Sequence, residues 1–156
     1  MSDINVIKCD QNQSEIISDL IIDLLKDFNE KSGGNFIVDR NFILDTTNKL
    51  IKRETFGCYI AYENRNPIGL IIISHSFAIY NGGDFGVITE LYVAKEKRSQ
   101  GIGRLLLEKA REFAKQNNWK KLEVGAPNKS EWPRTIDFYK ENGFEEKGPK
   151  LRLELE

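Results

Sequence analysis

The spacing of apolar residues changes at one place, and that change constrains the fold more than any other feature. From Phe56 to Val93 apolar side chains come in strand-like runs broken by short polar turns. From Ile102 to Phe113 they recur every three or four residues, as on one face of a helix. The switch passes through Arg98-Ser99-Gln100-Gly101-Ile102-Gly103. A strand ends, a charged turn follows, and glycines open a helix. Such a helix buries its apolar stripe only by packing back onto a sheet, so the chain reads as a layered α/β domain.

The remaining segments extend this pattern. Ile4 to Lys8 alternates and predicts a first strand. Ser14 to Asn29 and Asp39 to about Lys52 predict two helices, separated by the breaker Ser32-Gly33-Gly34-Asn35. A meander of three strands follows at 56–63, 68–79 and 85–93, turning at Asn64-Arg65-Asn66-Pro67 and Asn81-Gly82-Gly83-Asp84. The helix that begins at Ile102 is predicted to carry Ile102, Leu105, Leu106, Lys109, Ala110 and Phe113 on one side. A strand is expected at 121–125 and a helix at 130–141, with Pro133 in its first turn. Residues 144–146 and 151–155 are expected to form a closing hairpin. The order βααβββαβαββ implies a mixed, mostly antiparallel sheet of six or seven strands with helices on both faces. At 156 residues, the chain is expected to be a single domain spanning 1–156.

Bulk chemistry excludes several functions. Lys and Arg total 23 against 24 Asp and Glu, a formal net charge of −1, so no bulk field draws the chain to nucleic acid or an anionic membrane. Nucleic-acid and membrane partners are not expected. Two cysteines, Cys9 and Cys58, and a single histidine, His75, do not make a usual zinc site, and no metal is expected. The first ten residues carry Asp3 and Asp10 with no long apolar core, unlike a signal peptide, so a cytoplasmic location is expected.

The glycine turn carries the chemistry. Gly101 and Gly103 present no side chain to an approaching anion. The first turn of a helix offers unpaired N–H groups and about half a positive charge, so the turn can cradle phosphate. It is not the dinucleotide fingerprint, since the position of the third small residue is Leu106. It is not a P-loop, since Gly103 is followed by Arg104 and Leu105 rather than Lys and Ser or Thr. The pattern left is R-x-x-G-x-G. It follows the strand Glu90-Leu91-Tyr92-Val93 and precedes Phe138-Tyr139-Lys140-Glu141-Asn142-Gly143-Phe144.

Together these motifs resemble those of the GNAT acetyltransferases, over roughly residues 68–146. The resemblance implies acetyl-CoA as cosubstrate, with its diphosphate on the amides of Ser99, Gln100, Gly101, Ile102 and Gly103 and with Arg98 at the mouth of the loop. It implies a pantetheine arm paired with backbone groups of Leu91 and Val93, and a bulge that splays their strand from the next. It implies Glu90 as the group that takes the amine's proton and Tyr139 as the acid near the thioester sulfur. The acceptor would be a primary amine of a small molecule or peptide. The stretch from His75 to Val93 bears a mild similarity to polyamine and small-amine acetyltransferases. Homodimers are common in the family, so one is allowed here. An asparagine that many members place seven residues before the tyrosine is Trp132 in this chain, with Asn128 upstream. A module that binds acyl-CoA as a sensor, without turnover, is the alternative; retention of both Tyr139 and Glu90 argues against it. His75, on a strand face with Ile71, Ile73, Phe77 and Ile79, is expected to be structural.

Overall fold

Strand pairing follows chain order. A computed structural model describes residues 3–125, 130–148 and 151–155. The chain divides into two compact units, Met1–Val124 and Gly125–Glu156.

The first unit holds the whole sheet. Strands β1 (Ile4–Lys8), β2 (Gly57–Glu63), β3 (Asn66–Ala78), β4 (Gly83–Val93) and β5 (Leu122–Val124) lie side by side in that order. The first three pairings are antiparallel and β4–β5 is parallel. Helix α1 (Ser14–Ser32) starts after a short turn in which the Asp10 carboxylate accepts from the Asn12 amide and Gln13 Oε1 accepts from the Asp10 amide, both at 2.8 Å. It ends where Gly33 adopts φ +63°, a left-handed cap that favours glycine. Helix α2 (Arg40–Leu50) is capped by Asp39, whose carboxylate accepts from the Phe42 amide at 3.2 Å.

The sheet is buried on both sides. On one face Ile17 and Leu20 of α1 pack with Cys58, Ile60, Leu70, Ile72 and Tyr92. Side chains alternate along a strand, so Tyr59 lies on the other face, where its ring meets Phe113 of helix α3 (Ile102–Gln116) edge-on at 6.4 Å. Phe113 meets Trp119 at 5.5 Å. The buried stripe of α3 is Ile102, Leu106, Leu107, Ala110, Phe113 and Ala114. It is turned slightly from the predicted one: Leu107 is buried and Leu105 is 40% exposed. Both leucines fit an apolar stripe, and packing on the sheet selects between them.

The second unit contains helix α4 (Pro133–Glu141), with Trp132 at its N-cap and Asn142 after its last turn. The Phe144 amide bonds back to the Tyr139 carbonyl at 3.0 Å, and Gly143 has φ +94°, a left-handed stop to the helix.

The α/β layering with helices on both faces is as expected, but the described residues form a sheet of five strands rather than six or seven. Residues 144–148 and 151–155 form no ladder. Leu151, Leu153 and Leu155 alternate as a strand would, yet each is more than four-fifths exposed. Glu145 and Glu146 pair locally with Lys147 and Lys140, so the described residues of the predicted hairpin have no apolar cover.

Candidate active site

Strand β4 is interrupted at Thr89. Ile73 of β3 faces Ile88 and Ile72 faces Glu90, which leaves Thr89 as an extra residue without an opposite number. The ladder with β5 covers only Gly86–Ile88. Beyond the bulge β4 pairs with β3 alone among the described residues.

The bulge also changes which residues face the open edge. The Gly86 amide donates to Lys121, toward β5, at 3.0 Å, whereas Ala94 donates to Ile68 of β3 at 2.8 Å. Backbone groups alternate along a strand. Tyr92, like Ala94, therefore faces β3, while Leu91 and Val93 turn their N–H and C=O groups to the open side. Without the extra residue the even-numbered positions would face that side throughout. The Val93 carbonyl is already occupied, because Arg98 Nε donates to it at 2.9 Å.

Between β4 and α3 the chain makes one short turn. Ser99 has φ +62° and Gly101 φ +85°. No described residue offers a backbone acceptor to the amides of 99–103, and they crown the positive end of α3. A Cβ at Gly101 would meet nothing within 4 Å, so the backbone angle, not crowding, calls for glycine there. Arg98 is expected at the mouth of this turn. Its side chain, 37% exposed, is held by the Val93 carbonyl and by Asp27 Oδ2 at 2.6 Å, with the guanidinium over the Tyr92 ring at 5.9 Å. It thus ties the loop to α1 and β4. Burial pushes the Asp27 carboxyl up, but the Arg98 hydrogen bond and charge, with Lys95 at 3.3 Å, outweigh it and hold the carboxyl below its ordinary value.

Glu90 follows the bulge directly and accepts a short hydrogen bond from Thr89 Oγ1. It lines a cavity of about 130 Å³ between α1, α2 and the sheet. Burial raises its pKa, and the Thr89 bond offsets part of that rise. In the second unit, the Tyr139 ring sits edge-on to Phe138 and Phe144, each 5.4 Å away. Burial pushes its hydroxyl up to about 12.

A family model described as an acetyltransferase (GNAT) domain matches residues 54–146. The chain belongs to the GNAT acetyltransferases. It is 34% identical over 101 residues to an uncharacterised N-acetyltransferase of Methanocaldococcus jannaschii, a match covering 63% of this chain and 43% of that relative. The chain spans about half the length of the curated relatives it matches. Among solved structures, an aminoglycoside N-acetyltransferase in complex with CoA superposes with a TM-score of 0.80 at 13% identity, covering 99% of this chain and 95% of that one. A ribosomal-protein-alanine N-acetyltransferase of Brucella melitensis gives 0.73 at 15%, covering 98% and 100%. At such identities the likeness is one of fold: a GNAT α/β fold.

The first unit thus holds Glu90, Leu91, Val93 and residues 98–103 of this GNAT chain within one strand, one turn and one helix start. Tyr139 lies in the second unit, and Asn128 falls outside the described residues. Asp27 and Thr89 escape a reading of the sequence. Asp27 had a signal: a carboxylate seven residues after Leu20, on the buried side of α1. Thr89 had none, since one extra residue in an alternating run looks like ordinary strand. His75 has the structural partners expected of it: Nε2 lies 2.7 Å from Asp84 Oδ1, and the ring stacks on Trp119 at 5.1 Å.

Proposed function

We propose that this chain is an N-acetyltransferase that moves the acetyl group of acetyl-CoA to a primary amine of a small molecule or peptide within a ternary complex. The observation that carries the reading is the run of amides at 99–103, without backbone acceptors, ten residues beyond the strand bulge at Thr89. Solved proteins of like fold are named as aminoglycoside acetyltransferases, which supports a small molecule as one class of acceptor this fold can serve.

In this reading the amides of Ser99, Gln100, Gly101, Ile102 and Gly103 hold the CoA diphosphate. Arg98 serves the loop by anchoring it to Asp27. The Leu91 N–H and C=O and the Val93 N–H pair with the pantetheine amides. The acyl carbonyl carbon is the electrophile that acetyl-CoA supplies. An amine nitrogen forms the new C–N bond, the C–S bond breaks, and the thiolate leaves with CoA. The amine's proton passes to Glu90, directly or through water. A lysine-like amine, with a pKa near 10.4, is neutral in only about one molecule in a few thousand at pH 7. A carboxylate with a raised pKa is better matched to that proton than an ordinary one.

Tyr139 assists by hydrogen bonding rather than by giving up its proton. With its pKa at about 12 against roughly 8.5 for a thiol, full transfer is uphill by about 5 kcal/mol. A hydrogen bond to the developing thiolate stabilises charge without that step.

The test combines calorimetric titration with acetyl-CoA and a thiol assay for CoA release over a set of amines. Saturable binding and amine-dependent release are expected. Tyr139→Phe should lower kcat by about ten- to a thousandfold while keeping acetyl-CoA affinity within a few-fold. Absence of acetyl-CoA binding contradicts the proposal. Binding without release for any amine favours an acyl-CoA sensor.

A further inference from the structure

The cavity beside Glu90 has a chemistry of its own. Its walls are apolar side chains of α1, α2 and β3, among them Phe42 and Ile72, together with Phe56 just before β2. Two hydroxyls lie in its lining, and both spend their protons within the helix, so toward the space they can only accept: Thr46 Oγ1 donates to the Phe42 carbonyl and Thr47 Oγ1 to the Ile43 carbonyl, each at 2.8 Å. Glu90 is the one charged side chain among the described residues of the lining. The cavity therefore pairs a single anionic end with an otherwise apolar interior.

Size narrows the occupant further. At about 130 Å³ the space is slightly below the ~150 Å³ of an apolar cavity known to hold benzene. One ring or one branched alkyl group fills the walled part, and a second ring or a sugar extends past the walls into solvent. A polyamine places a second ammonium where no carboxylate waits, and a buried unpaired charge is strongly disfavoured. A polyhydroxylated amine likewise strips water from more hydroxyls than the two threonine oxygens of the lining can accept from. The apolar rim continues outward through Phe42, which is 69% exposed.

We propose, resting on the N-acetyltransferase reading above, that the acceptor is a monoamine bearing one compact apolar group, an arylalkyl or branched alkylamine, with its nitrogen at Glu90 and its apolar group in the cavity between α1, α2 and β3. The cavity sets acceptor specificity by favouring one compact apolar group beside a single carboxylate over polycations and sugars, which gain nothing from its walls. Thr46 lies on the exposed side of α2 and still borders the space, so a large residue there closes the cavity without entering the core.

Calorimetric titrations of phenethylamine, isoamylamine, spermidine and sisomicin into the CoA-saturated protein test this. Phenethylamine or isoamylamine is expected to bind at least tenfold more tightly than spermidine or sisomicin. Thr46→Trp is expected to weaken the apolar amines at least tenfold and to leave acetyl-CoA affinity unchanged. Phe42→Ala, which trims the rim, should weaken them several-fold. Spermidine or sisomicin binding equally well or better overturns the inference, as does failure of both apolar amines to bind, or apolar binding that survives Thr46→Trp. Acetyl-CoA titrated into the free protein reports separately on the N-acetyltransferase reading, so failure of the acceptor assignment is distinguishable from failure of the activity.

Discussion

Glu90 is a carboxylate set against an apolar cavity, and function and stability pull on it in opposite directions. Its pKa is raised in the folded chain because burial disfavours the charged form. Any stability from this group is thus fully present below the unfolded value and is lost as pH rises through the higher folded value. Glu90→Gln is expected to raise stability at pH 7, with the gain fading as the pH falls below about 4. Urea denaturation at both pH values checks this. The same variant should lose about a hundredfold or more in kcat and, with it, the rising acid limb of the kcat/KM profile. At Asp27 the sign is reversed. Its lowered pKa makes its contribution present above the unfolded value and lost as pH falls through the folded one. Asp27→Asn leaves Arg98 without its charged partner, and a loss of roughly 2–3 kcal/mol in unfolding free energy is expected, together with weaker acetyl-CoA binding because the loop loses its tether to α1.

The elements were legible where local periodicity decides them. The meander, the α3 stripe and the glycine turn all announce themselves through spacing, and Glu90, Leu91 and Val93 fall on the strand where the motif puts them. What escaped depends on contacts between distant segments. The bulge at Thr89 exists only relative to Ile72 and Ile73 on the neighbouring strand. The role of Arg98 depends on Asp27, 71 residues away. The alternating Leu151, Leu153 and Leu155 suggest a strand, but alternation creates a ladder only where a partner strand stands beside it. The glycine turn supplies the prediction at this scale. Gly101→Ala forces a side chain into φ +85° in open space, so the strain is purely backbone. A stability loss of about 1–2 kcal/mol is expected by thermal or chemical denaturation. Acetyl-CoA affinity should fall with it, since relief of the strain redirects the amides on either side.

At the scale of the molecule, the sheet unit leaves unpaired backbone groups along β4 beyond Thr89 and in the turn before α3. Its two buried faces fix β4 and the start of α3, and the groups left unpaired are those the proposed ligand satisfies. Binding therefore adds to the stability of the fold. Acetyl-CoA at a hundred times its Kd is expected to contribute about 2.7 kcal/mol, a rise in Tm of roughly 5–10 °C for a chain of this length. The most direct test follows the backbone amides themselves, by two-dimensional ¹⁵N–¹H NMR during titration with CoA. The expected result is a saturable set of shifts, largest at Ser99 to Gly103 and present at Leu91 and Val93. Saturable binding that leaves those amides unmoved, with its shifts elsewhere in the chain, would contradict the assignment of the glycine turn as the diphosphate site.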